Sequence, residues 1–150
     1  MLKDEALRTK IIDVLERHHT MALSTIRPDG FPQTTIVNYI HEGLTVHFAS
    51  DANSQKAGNI RLNNKVSLAI ASETENFYRL YGLSMSGLAT RLTDKLVAQK
   101  IALDLFRRLP RYKRFVPEDH AQLAVFSIVP VAISLIDYSA GFGTSYMLEP

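Results

Sequence analysis

The tetrapeptide Arg27-Pro28-Asp29-Gly30 constrains this chain more than any other feature. Proline presets the first central angle of a turn and glycine supplies a positive one. The stretches on either side, 20–26 and 31–40, read as strands, so the turn makes them an antiparallel pair. His41-Glu42-Gly43 reads as a second short turn. Beyond it Leu44, Val46 and Phe48 alternate with Thr45, His47 and Ala49, the period of a third strand. Three strands joined this tightly form a meander.

The remaining segments fit around it. Leu7, Ile11, Val14 and Leu15 recur at three- and four-residue steps, which predicts an N-terminal helix over 4–18. Ser54 caps a short helix at 55–62, and 65–72 alternates as a fourth strand. A fifth strand covers 81–92 and bends at Gly87. Thr93 caps a helix over 94–109 whose buried stripe is Leu96 or Val97, Ile101, Leu105 and Leu109, and Pro110 ends it. Two further β segments, 122–129 and 131–138, are kinked at Pro130, and 139–150 is a tail. The order predicts one domain, 1–150, with main strands and a short helix over 20–92, a helix at 93–109 and final strands at 122–138. The expected fold is mainly β (α+β): six or seven antiparallel strands in a closed or nearly closed barrel with flanking helices.

With 46% apolar and 21% charged residues, the chain is neither disordered nor coiled coil, and no apolar run is long enough to span a membrane. It has no cysteine, which excludes disulfides, thiol nucleophiles and thiolate metal sites. The start lacks the apolar core of a secretory signal, so a cytoplasmic address is expected. A net charge of +2 is only weak evidence for any polyanion partner, and no nucleic-acid role is expected. The histidines lack a metal-binding helical spacing, so no metal site is expected.

Chemistry concentrates where the third strand hands over to the short helix. Free N–H groups at a helix start attract an anion, Ser54 adds a hydroxyl, and Lys56 adds a cation where the dipole alone disfavours one. A phosphate would remove that conflict. A plain cap and a solvated lysine would account for the same residues.

This stretch resembles the pyridoxamine 5′-phosphate oxidase-like FMN-binding split barrels. Phe48-Ala49-Ser50, Ser54-Gln55-Lys56-Ala57 and Asn63-Asn64-Lys65-Val66-Ser67-Leu68 follow the order of that family's strand, phosphate turn and next strand. Met21-Ala22-Leu23-Ser24-Thr25 and Met85-Ser86-Gly87-Leu88-Ala89-Thr90-Arg91-Leu92 are similar to its opening hairpin and its later strand. The resemblance spans about residues 4–138. It implies a homodimer with FMN at the interface, the phosphate on Ser54, Gln55 and Lys56. The ring would lie near Thr35, Ile36, Val37 and Asn38 and near Phe48, Ala49 and Ser50. Asn38 suits either the polar rim of the ring or ordinary strand pairing.

The resemblance further implies an oxidoreductase passing hydride between flavin and a small molecule or nicotinamide; no catalytic acid or base can be named. Gln55 stands where the family has an arginine, and Thr34 and Thr35 lie where the oxidases carry another. The C-terminal substrate pattern of the vitamin B6 oxidases is absent, so that activity is not expected. The alternative is a non-catalytic carrier of flavin, deazaflavin or haem. Arg107, Arg108, Arg111, Lys113 and Arg114 form a basic cluster that suits either a solvated helix end or a guide for an acidic substrate. Phe77, Tyr78, Tyr81, Tyr138 and Phe142 read as core or interface aromatics, with stacking over the flavin as the sharper reading.

Overall fold

The computed structural model describes residues 2–108 and 122–150. Its elements are α1 (Leu2–Arg17), β1 (Thr20–Ile26), β2 (Pro32–Asn38), β3 (Ile40–Glu42), β4 (Thr45–Asp51), α2 (Gln55–Leu62), β5 (Lys65–Ala71), β6 (Tyr81–Arg91), α3 (Lys95–Arg108), β7 (Leu123–Asp137) and β8 (Ser145–Leu148). The strands form one sheet in the order β2-β1-β5-β6-β7-β4-β3, with β8 added to β7, and every pairing is antiparallel. The sheet curls into a half-barrel, the split barrel expected, with eight strands among the described residues where six or seven were expected. β2 and β4, near its two ends, approach each other across the split.

The β1–β2 turn forms as its residues require. Gly30 N–H donates to Arg27 O at 2.9 Å, and Gly30 has a φ of 86°. The barrel interior holds Met21, Leu23, Phe48, Leu68, Met85, Phe126, Ile128 and Ile133, all at most 2% exposed. α1 presents Ile11, Val14 and Leu15 to it. Tyr39 stands between β2 and β3, fully buried, its hydroxyl donating to Leu15 O at 2.8 Å. Burial holds that phenol far above its ordinary pKa.

Several boundaries differ from expectation. The strand predicted over 31–40 stops at Asn38, because Tyr39 turns its N–H to His19 O and its ring into the core. His41 and Glu42 are therefore strand, and Gly43 and Leu44 make the turn, with Gly43 at φ 59°. Asp94, not Thr93, caps α3: its carboxylate accepts from the N–H groups of Leu96 and Val97. α3 buries Ala102 and Leu105 and leaves Leu96 and Val97 exposed, so the stripe read from those two was misplaced. Leu109, Pro110 and the basic loop 111–119 lie outside the described residues.

The two final segments are one fifteen-residue strand, β7. Pro130 is tolerated because the β6 register shifts there, with Gly87 opposite Pro130 and Ser86 opposite Ala132. The tail contains β8, which pairs with the second half of β7.

Gly87 makes that crossing possible. A Cβ there would stand 2.6 Å from Ile128 Cγ2 and 2.7 Å from Val129 O. A backbone oxygen cannot move aside as a side-chain tip can. Gly87→Ala is expected to cost about 1–3 kcal/mol. Urea titration would read this as a lower midpoint at unchanged slope.

Candidate cofactor site

β4 ends at Asp51 and the chain turns through Ala52-Asn53-Ser54 into α2. Asp51 accepts from the Asn53 N–H, which shapes the turn. Ser54 adopts the extended conformation of a cap, and its Oγ accepts from Ala57 N–H at 3.3 Å. Ser50 Oγ lies 2.8 Å from Ser54 Oγ. With Ser50 as donor in that bond, the Ser54 proton stays free for a further acceptor.

The first turn of α2 holds no acidic residue. Lys56 is half-buried there, and among the described residues no carboxylate pairs with it. A hydroxyl, a lysine and free helix N–H groups thus all belong to the first turn of α2.

Gln55 is exposed, and its amide points elsewhere. Its Nε2 donates to Asn59 Oδ1 at 2.8 Å. Asn59, fully buried, donates from Nδ2 to Thr25 Oγ1 at 2.9 Å and Gln33 Oε1 at 3.1 Å. One amide therefore fastens α2 to both strands of the first hairpin. Asn59, Thr25 and Gln33 were not legible as a unit in the sequence; the four-residue spacing of Gln55 and Asn59 is the local hint.

The other expected residues divide. Alternation along β2 puts Ile36, 71% exposed, on the outer face, and sets Thr35 and Val37 toward the interior opposite Leu23 and Met21. Asn38 pairs with Thr20 at the strand end. Ala49 and Ser50 are half-buried on β4. Phe48 lies in the core, stacked on Phe126 with centroids 5.0 Å apart, so its ring belongs to the barrel interior. The structure brings the Ser50 and Ser54 hydroxyls together at the start of α2, sets Lys56 in the first turn, and turns Gln55 into the hairpin contact.

The outer face carries a row of mostly small residues. Ile36, Ala22, Ala69, Ser84, Ser134 and Met147 are successive cross-strand partners over six strands. A crevice of about 670 Å³ opens on this face, bordered by Ile36, Ala22, Ala69, His18, Arg79 and Tyr81. His18 Nε2 is 2.8 Å from the Tyr81 hydroxyl. Phe77, before β6, packs on Tyr138 and Phe142, after β7, with Phe77 and Phe142 stacked at 5.8 Å. Phe142 and Tyr78 are largely exposed.

Of the basic cluster, Arg108 has a structural task. It donates to Glu16 O at 2.7 Å, His18 O at 3.4 Å and His19 Nδ1 at 3.1 Å, closing the C-terminus of α1. Among the described residues no helix is long and apolar enough to cross a membrane.

The order β4, capped turn, α2, β5, set in a half-barrel, matches one family model over residues 7–137, that of pyridoxamine 5′-phosphate oxidase. The chain belongs to this family. It is 25% identical to general stress protein 26 of Bacillus subtilis over 99% of both chains. A solved F420 reductase is 26% identical with a TM-score of 0.68, covering 81% of this chain and 93% of its own. A FAD-binding protein from Mesorhizobium loti shares the fold at 16% identity and TM-score 0.70, over 85% of this chain and 91% of its own.

Two outcomes follow from the geometry. Asn59→Ala strands Thr25 and Gln33 without their donor and should cost about 1–3 kcal/mol, read by urea denaturation. Burial lowers the pKa of His47 and of His18 below the usual 6.5, because both rings lose hydration as cations. Below about pH 6.5 the unfolded chain then binds more protons than the folded one, so stability decreases as the pH is lowered. Glu16 and Asp137, both held low by hydrogen bonds, add their loss only in the carboxylate range. The urea midpoint should drop between pH 7 and 5, and His47→Gln should flatten that slope.

Proposed function

We propose that this protein is a homodimeric FMN-binding flavoprotein acting as an oxidoreductase. The observation that carries the reading is the start of α2, with the hydroxyl pair of Ser50 and Ser54 and the half-buried Lys56 in the first turn. A phosphate suits it in charge and in hydrogen-bond direction. Lys56 would hold the phosphate, Ser54 would donate to it, and Asn59 would keep α2 at its fixed distance from β1 and β2. Gln55 would contribute to that anchoring rather than to the phosphate.

The ring would lie beside the outer face, near Ile36 and the crevice it borders. A single curled sheet leaves that face open, and the small side chains of the row from Ile36 to Met147 allow close approach of a second copy. The second copy would exclude water from the ring. Bound FMN would supply hydride exchange with a small molecule or nicotinamide.

A deazaflavin is the second reading, favoured by the likeness to an F420 reductase at 26% identity. A haem carrier has less support. His18, His19, His41 and His47 each already hold a hydrogen-bond partner.

Lys56→Ala should weaken FMN about 10- to 100-fold and riboflavin little, measured by quenching of flavin fluorescence. Equal loss for both would remove the phosphate from Lys56. Ala69→Arg, on the open face, should give a monomer by light scattering and lower flavin affinity. A dimer that survives this change would move the interface elsewhere.

A further inference from the structure

Another concavity runs along α2, from Ala52 before its cap to Arg61 in its last turn. It has a volume of about 320 Å³, with Ala57 and Phe126 in its wall, Asn64 beside them, and Arg61 and Arg91 bordering it. None of Ser50, Ser54 and Lys56 lines it. Arg61 sits in the last turn of α2 and Arg91 ends β6, where it pairs with Phe126. Among the described residues neither guanidinium has a carboxylate partner.

Gly58 lies within the same wall. Glycine inside a helix weakens it. Its usual justification is the close approach of another group to the bare backbone. Here a Cβ at Gly58 would meet no protein atom within 4 Å. The bare stretch of helix therefore faces open cavity rather than packed chain.

We propose that this cavity binds a small organic anion. Its phosphate or carboxylate head is held between Arg61 and Arg91, and its compact apolar body lies against the helix at Gly58. Guanidinium groups suit both oxyanions through paired N–H donors. The wall of Ala57 and Phe126 suits a body without charge. This site stands independently of the flavin reading, since it uses different side chains.

Calorimetric titration of the full-length protein with phenyl phosphate, benzoate, inorganic phosphate and benzyl alcohol tests it. One of the two aromatic anions should bind at least about tenfold more tightly than inorganic phosphate, and benzyl alcohol should not bind. Arg61→Gln with Arg91→Gln should weaken that anion about tenfold or more. Gly58→Leu, whose Cβ meets no neighbour, should occupy the cavity, keep the circular dichroism and melting temperature, and abolish binding. Absence of binding by both anions, or binding that survives Gly58→Leu and the arginine changes, overturns the proposal. FMN titration of the same variants separates the two sites. Loss of FMN with the arginines but not with Lys56→Ala would make this cavity the flavin phosphate's own seat and end the claim of a separate one.

Discussion

The contact of Asn59 with Thr25 and Gln33 fixes the geometry on which the candidate site depends. A buried primary amide has two donors and one carbonyl to satisfy, and here Thr25, Gln33 and Gln55 take all three. Because the amide is fully buried, losing a partner is costly and the arrangement has little freedom to drift. α2 buries only Ala57, Asn59 and Ile60, too little apolar surface to orient an eight-residue helix by packing alone. The polar knot supplies the missing direction. Ser54 and Lys56, at the other side of the same two turns, inherit it.

Much of the fold could be read from residue pattern because its signals are local. The α1 stripe, the Pro-Asp-Gly turn and the alternation of β4 and β5 each depend on neighbours within a few positions. The misreadings occur where a distant partner decides. Tyr39 looks like another strand residue until its hydroxyl finds Leu15 O, 24 positions away. Pro130 looks like a break until Gly87 stands opposite it and absorbs the shift in register. Ser145–Leu148 has only Leu148 buried and no strong alternation, so its pairing with β7 leaves little trace in sequence.

The same division holds for the site. The Ser54 cap was legible because helix starts have local chemistry. The role of Gln55 was not, because its amide is drawn inward by a residue whose importance lies in the hairpin it touches. Phe48 was placed in the right strand, yet its ring stacks on Phe126 in the core, since β4 buries three successive residues and simple alternation fails there.

Arg108 closes α1 through two carbonyl oxygens and a ring nitrogen, none of them a carboxylate. Its hold combines the fork of the guanidinium with an attraction to the nearby Glu16 carboxyl, whose pKa it helps to keep low. Added salt screens exposed ion pairs such as Arg17 with Asp13 and leaves neutral acceptors largely unaffected. As salt rises, the hydrogen-bonded part of the junction between the first and third helices therefore outlasts the part that rests on charge.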